Sequence, residues 1–243
     1  MAGRMFDLIA FDGDDTLWHN ERVYRMGRER FAKVLARAGV RRSDEDVERL
    51  VSQTELANLK YYGYGVTSFV MSLIEAAVEL TDGRISGTDV LEFLQLAKEM
   101  LTARVELFDG AAEAVGALAE TYPLMLITKG DLLHQRAKAE ESGLGQHFRA
   151  IEVVSTKTRD TYSSILARCR VEPSRFLMVG NSLRSDVLPV LEIGGWAVHV
   201  PAPLSWAHED GDPPDAATSR FFELGSLRSL PALVGGLSTD RSA

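Results

Sequence analysis

Three carboxylates fall within four residues, Asp12, Asp14 and Asp15, directly after a short apolar run at residues 8–11. Like charges ~4 Å apart repel by about 4 kcal/mol at an effective dielectric of ~20. Such a cluster therefore keeps some of its acids protonated, recruits a cation, or stays a solvated acidic turn. A hard divalent ion with oxygen ligands, Mg²⁺, suits it best. An EF-hand loop does not fit, because Leu17 and Val23 occupy the positions that need Gly and Glu. Three more short apolar runs end in polar groups: Thr128 after 124–127, Lys157 after 151–154, and Asn181 to Asp186 after 176–179. Together these form a set for moving a phosphoryl group: a carboxylate nucleophile, an acid/base, and cations for the developing charge.

The elements that must bring these groups together are legible. Apolar runs of four or five residues read as buried strands. Residues 21–38, 44–59, 67–80 and 88–102 have helical spacing with no strand between them, and Ser43 is a good N-cap ahead of Asp44, Glu45 and Asp46. Met71, Leu73, Ile74, Val78 and Leu80 are expected in the core of that helical segment. From residue 109 helices and strands alternate: helices at 111–121, 131–142 and 161–169, strands at 124–127, 151–154, 176–179 and 196–200, and one helix running to 192. The alternation predicts an α/β fold with a doubly wound parallel sheet, whose strand ends converge on one edge. Residues 1–17 and 106–234 are expected to form this core and 18–105 an inserted all-helical subdomain. Residues 201–219 read as a loop, 221–222 as an edge strand, 226–233 as a last helix, and 235–243 as a frayed tail.

Composition removes other classes. The 243 residues carry a net charge of −8, which argues against a nucleic-acid or anionic-membrane surface. No apolar run approaches the ~20 residues that span a bilayer. Cys169 is the only cysteine, so no internal disulfide forms. With strand 1 so close to Met1, no leader is expected, and a reducing cytoplasm is the expected home.

The motifs Phe11-Asp12-Gly13-Asp14-Asp15-Thr16-Leu17, Leu126-Ile127-Thr128, Lys157, and Gly180-Asn181-Ser182-Leu183-Arg184-Ser185-Asp186 resemble, in order and spacing, those of the haloacid dehalogenase-like hydrolases. The resemblance covers nearly the whole chain and places a helical C1-type cap at 18–105. It implies a Mg²⁺-dependent phosphohydrolase of the Rossmann-like core, acting on a small phosphorylated metabolite as a monomer or homodimer. By the same resemblance Asp12 attacks phosphorus, Asp14 is the acid/base, Thr128 binds the phosphoryl group and Lys157 neutralises charge. The metal falls to Asp12, Asp14, Asn181 and Asp186. Two positions depart from the family pattern: Asp15 stands for Gly and Asn181 for Asp. A phosphomutase on the same core and a non-catalytic metabolite-binding protein are the alternatives. A 2-haloacid dehalogenase ranks lower, because carbon–halogen displacement needs no carboxylate at position 14 to protonate an oxygen.

Overall fold

The structure, a computed structural model, describes residues 4–204, 206–215 and 218–239. Strand β1 (Leu8–Phe11) precedes four helices: α1 (Glu21–Arg37), α2 (Asp44–Tyr62), α3 (Val66–Leu80) and α4 (Gly87–Leu101). Then follow α5 (Ala111–Ala119), β2 (Leu124–Lys129), α6 (Leu132–Glu141), β3 (Phe148–Val154), α7 (Arg159–Cys169) and β4 (Phe176–Gly180). The chain ends with α8 (Leu188–Glu192), β5 (Trp196–His199), β6 (Phe221–Glu223) and α9 (Leu230–Thr239). Two compact units result. One comprises Met1–Glu21, Val105–Lys129 and Gln135–Ala243, the other Arg22–Arg104 and Gly130–His134.

In the first unit six strands form one parallel sheet in the order β3-β2-β1-β4-β5-β6. The chain winds outward from β1 to β3, then returns to lay β4 against β1, so the winding reverses at the β1/β4 boundary. In open α/β sheets, ligands bind beyond the strand ends at that reversal. All four β1 residues are buried because both faces are covered. Ile9 and Phe11 join the core that holds Val115 and Leu230, while Leu8 and Ala10 join the one that holds Tyr162 and Phe176.

The second unit packs its helices around Phe31, Leu73, Phe93 and Leu96. Here the expected core needs correcting. Leu73 and Leu80 are buried, but Met71 and Val78 are exposed. The buried stripe of α3 follows Val66, Phe69, Val70, Leu73, Ala77 and Leu80. At 100° per residue, positions 71 and 78 fall together on the opposite face.

Two further expectations change in the first unit. The single helix expected after Ser182 is a π-helical turn, Leu183–Val187, followed by the short α8. Pro189 has no N–H to give the Ser185 carbonyl, which instead accepts the Tyr162 hydroxyl at 3.0 Å. The turn closes with bonds from Val187 N to Ser182 O and from Leu188 N to Leu183 O, each five residues back. The tail expected to fray from 235 is helical through Thr239, while 240–243 lie outside the described residues. Leu230 and Val234 sit in the core, and the Ser238 and Tyr122 hydroxyls lie 3.0 Å apart, which ties the helix down. Among the described residues no helix is long and apolar enough to cross a membrane.

Candidate active site

Asp12 is the first residue after β1, and its N–H donates to Val179 O at 2.9 Å, which extends the β1/β4 pairing by one step. Its carboxyl therefore emerges where the winding reverses. Lys157, on the chain between β3 and α7, places its ammonium 2.5 Å from Asp12 Oδ1 and 2.7 Å from Asp186 Oδ1. All three side chains are buried. Burial pushes the Asp12 carboxyl up to about 7; Lys157 pulls it down and Asp186 adds to the rise. Burial also opposes the Lys157 charge, but its two carboxylates outweigh that and hold the ammonium well above the usual lysine range.

The Thr16 hydroxyl joins β1 to the β4 loop. Its single proton is shared between Asp12 Oδ2 at 3.1 Å and Asn181 Oδ1 at 3.2 Å, and it accepts from Asn181 N at 3.0 Å. Gly180 and Gly13 admit no side chain. A Cβ on Gly180 would collide with the Asp186 carboxylate, and one on Gly13 would meet the Trp18 ring at 2.6 Å. Asp186 Oδ2 accepts from Ser182 N at 3.1 Å, so each of its oxygens has a donor. His199, at the end of β5, lies 3.0 Å from both the Asn181 carbonyl and Glu223 Oε2. Thr128 is buried at the end of β2, its hydroxyl donating only a long 3.4 Å bond to Lys129 O.

Asp14 faces a separate set of donors. Trp18 Nε1 donates to its Oδ1 at 2.6 Å, Gln135 Nε2 to its Oδ2 at 2.8 Å, and Lys138 Nζ forms an ion pair with Oδ1. Burial would raise this carboxyl, but Lys138 and then the hydrogen bonds outweigh it and hold it below the ordinary aspartate value. Asp15 turns the chain with φ 59°, a left-handed conformation that Asp tolerates better than most residues. Its carboxylate accepts from Asn20 N at 2.9 Å and from Glu21 N at 3.1 Å, capping the start of α1. Burial pushes it up to about 7 against those two donors.

Lys129, next to Thr128, has its ammonium 2.5 Å from Glu209 Oε1 and 3.0 Å from Ser185 Oγ. Glu209 also accepts from the Ser182 hydroxyl at 2.8 Å and the Ser185 hydroxyl at 2.6 Å. Burial would raise its carboxyl, but Lys129 and the two serines bring it down to about 2.

The donor set fits a hard divalent cation. Two buried carboxylates, Asp12 and Asp186, face one ammonium, which leaves a negative charge in excess. Asp12 Oδ2 and Asn181 Oδ1 both lie within 3.2 Å of the Thr16 hydroxyl, so two hard oxygens share one neighbour. Among the described residues no three His, Cys, Asp or Glu gather as a metal-binding group. The hard oxygens gathered around the Thr16 hydroxyl are one carboxylate oxygen, of Asp12, and one amide oxygen, of Asn181.

Asp12, Lys157, Asn181 and Asp186 thus form one connected cluster, with Thr16 as the residue that links it. Asp14 stands in its own seat. Gln135 and Lys138 were not among the candidates; their signal is their place one helical turn apart, just after the Thr128 motif. Glu209 had no signal beyond an acidic loop.

A sequence model of the haloacid dehalogenase-like hydrolases matches residues 6–194. A haloacid dehalogenase-like family hydrolase from Xanthomonas campestris is 38% identical, superposes with a TM-score of 0.85 and aligns over 99% of both chains. The N-acylneuraminate-9-phosphatase of Rattus norvegicus is 25% identical over 235 residues, 93% of this chain and 92% of its own. The 2-haloacid dehalogenase of Pseudomonas syringae pv. tomato DC3000, 22% identical, shares the fold with a TM-score of 0.62 over 98% of this chain and 100% of its own.

Proposed function

The chain belongs to the haloacid dehalogenase-like hydrolase family, and from that premise we propose that it is a Mg²⁺-dependent phosphohydrolase of a small phosphorylated metabolite. The observation that carries this reading is the pair of differently held carboxylates. Asp12 is buried against Lys157 and Thr16, while Asp14, two residues on, has its own three donors. Asp12 attacks phosphorus and becomes an aspartyl-phosphate. Asp14, whose three donors favour its anion, takes up the proton of the bound phosphate monoester and gives it to the departing oxygen, then takes one from the water that releases phosphate. A haloacid dehalogenase needs no such proton, so Asp14 favours phosphate over halide.

Lys157 neutralises charge on Asp12 and on the transferring group, and Asp186 holds Lys157 in place. Thr128 exchanges its long bond to Lys129 O for a phosphoryl oxygen. When bound, a magnesium ion held by the Asp12 carboxylate, the Asp14 backbone carbonyl and the Asn181 amide supplies positive charge to the phosphoryl oxygens. Asp186 contributes its charge through Lys157. Substrate choice falls to residues 18–105, read as the helical cap. The name of the rat relative makes an acylneuraminate 9-phosphate the first compound to test, ahead of other sugar phosphates, phosphoglycolate and nucleoside monophosphates.

The test is release of inorganic phosphate from such a panel by purified protein with Mg²⁺ and no phosphorylated activator. Turnover of at least one compound is expected, and Asp12→Asn should lower it by about a thousandfold or more with the fold intact. No release from any compound, or an Asp12→Asn protein at the wild-type rate, overturns the reading.

A further inference from the structure

Glu209 lies in the loop after β5, yet the three groups on its carboxylate each adjoin a residue of the site. Oε1 faces the Lys129 ammonium at 2.5 Å, and Oε2 accepts from the Ser182 hydroxyl at 2.8 Å and the Ser185 hydroxyl at 2.6 Å. Lys129 follows Thr128, Ser182 follows Asn181, and Ser185 precedes Asp186. Lys129 ends β2, Ser182 lies just past β4, and these two strands flank β1 in the sheet. The carboxylate thus bridges the strand ends on either side of the one that carries Asp12. The backbone around Glu209 is drawn down as well. The Ser182 hydroxyl is 2.8 Å from Glu209 O, and Arg184 Nη1 donates to His208 O at 3.2 Å. A Cβ on Gly211 would stand 3.3 Å from Leu183 Cβ and 3.4 Å from Arg184 N. Apolar packing could hold such a loop down, and a buried ion pair is often no better for stability than apolar groups of like volume. What the hydroxyl–carboxylate bonds add is fixed length and direction, which set where Ser182 and Ser185 stand.

We propose that Glu209 is a positioning residue for the metal-binding loop; the proposal rests on the reading above in which Asp12 and Asn181 hold the magnesium ion. Clasped at Ser182 and Ser185, the loop keeps Asn181 Oδ1 near the Thr16 hydroxyl that also meets Asp12 Oδ2. Without the clasp the loop gains other arrangements, and the apparent affinity for the ion falls with the fraction that remains competent.

The experiment titrates the full-length protein, without substrate, with Mn²⁺ and follows loss of the free-ion EPR signal, then reverses it with Mg²⁺. Mn²⁺ takes the same oxygen ligands. Glu209→Ala should raise the dissociation constants of both ions by about fivefold or more. Ser185→Ala keeps the Glu209 charge and removes one of its bonds, and should raise them by about threefold or more. It also carries the test should Glu209→Ala fail to fold. Leu230→Ala, a cavity in the core of the same unit, lowers stability without touching the loop and should change them by less than about twofold. Asn181→Ala is the reference and should weaken binding at least as much as Glu209→Ala. If the wild type binds neither ion, or Asn181→Ala binds as the wild type does, the metal assignment fails and the proposal with it. If Asn181→Ala weakens binding but Glu209→Ala and Ser185→Ala do not, only the positioning role is overturned. Weakening by Glu209→Ala alone would assign the effect to charge, and equal weakening by Leu230→Ala would assign it to stability; either result also overturns that role.

Discussion

Asp15 shows how one residue can serve the backbone rather than the chemistry. From the sequence it is a third acid in a crowded turn, standing where the family pattern has Gly. In the structure it adopts the left-handed conformation that Gly would adopt, and its carboxylate caps the first amides of the insert's leading helix. Asp15→Gly should therefore keep the turn and lose the cap, costing about 1 kcal/mol in urea unfolding. Asp15→Leu should cost more, because a bulky side chain at this φ adds about 1–2 kcal/mol to the lost cap. The turn was legible from the D-x-D pattern. The cap was not, since Asn20 and Glu21 become its partners only once the chain has curled back.

At the scale of elements, short apolar strands ending in polar groups were enough to place Asp12, Thr128, Lys157 and Asn181 on one sheet edge. The π-helical turn at Leu183–Val187 was not readable, because it depends on Pro189 and on a hydroxyl from α7. The segment 201–219 reads as a loop and is largely one, yet Glu209 fastens it to the Asn181–Asp186 motif through two serines and Lys129. With its carboxyl lowered to about 2 from an ordinary 4.5, Glu209 contributes stability that is fully present above pH 4.5 and is lost as pH falls toward 2. By linkage that contribution is about 3 kcal/mol at neutral pH. Glu209→Gln should be less stable than wild type by about that amount at pH 7, and the gap in urea midpoints should narrow as pH falls from 4.5 toward 2. A gap independent of pH would separate Glu209 from the acid limb of stability.

Across the whole molecule, two units carry separate cores. Leu73 is fully buried among the helices of the second. Leu73→Ala should cost about 2–5 kcal/mol, and hydrogen exchange should show the loss in α1–α4 before the sheet. The α/β class, the parallel sheet, the family and the order of the motifs followed from sequence alone. Those features are local: hydrophobic period, strand length and the polar residue at each strand end are written in contiguous residues. What only the tertiary structure decided is which group faces which. Asp14 meets Gln135 and Lys138 from more than a hundred residues away, Lys129 turns to Glu209, and Lys157 lies between Asp12 and Asp186. These partners come from different strand ends, helices and loops, and which of them meet depends on packing rather than on spacing along the chain.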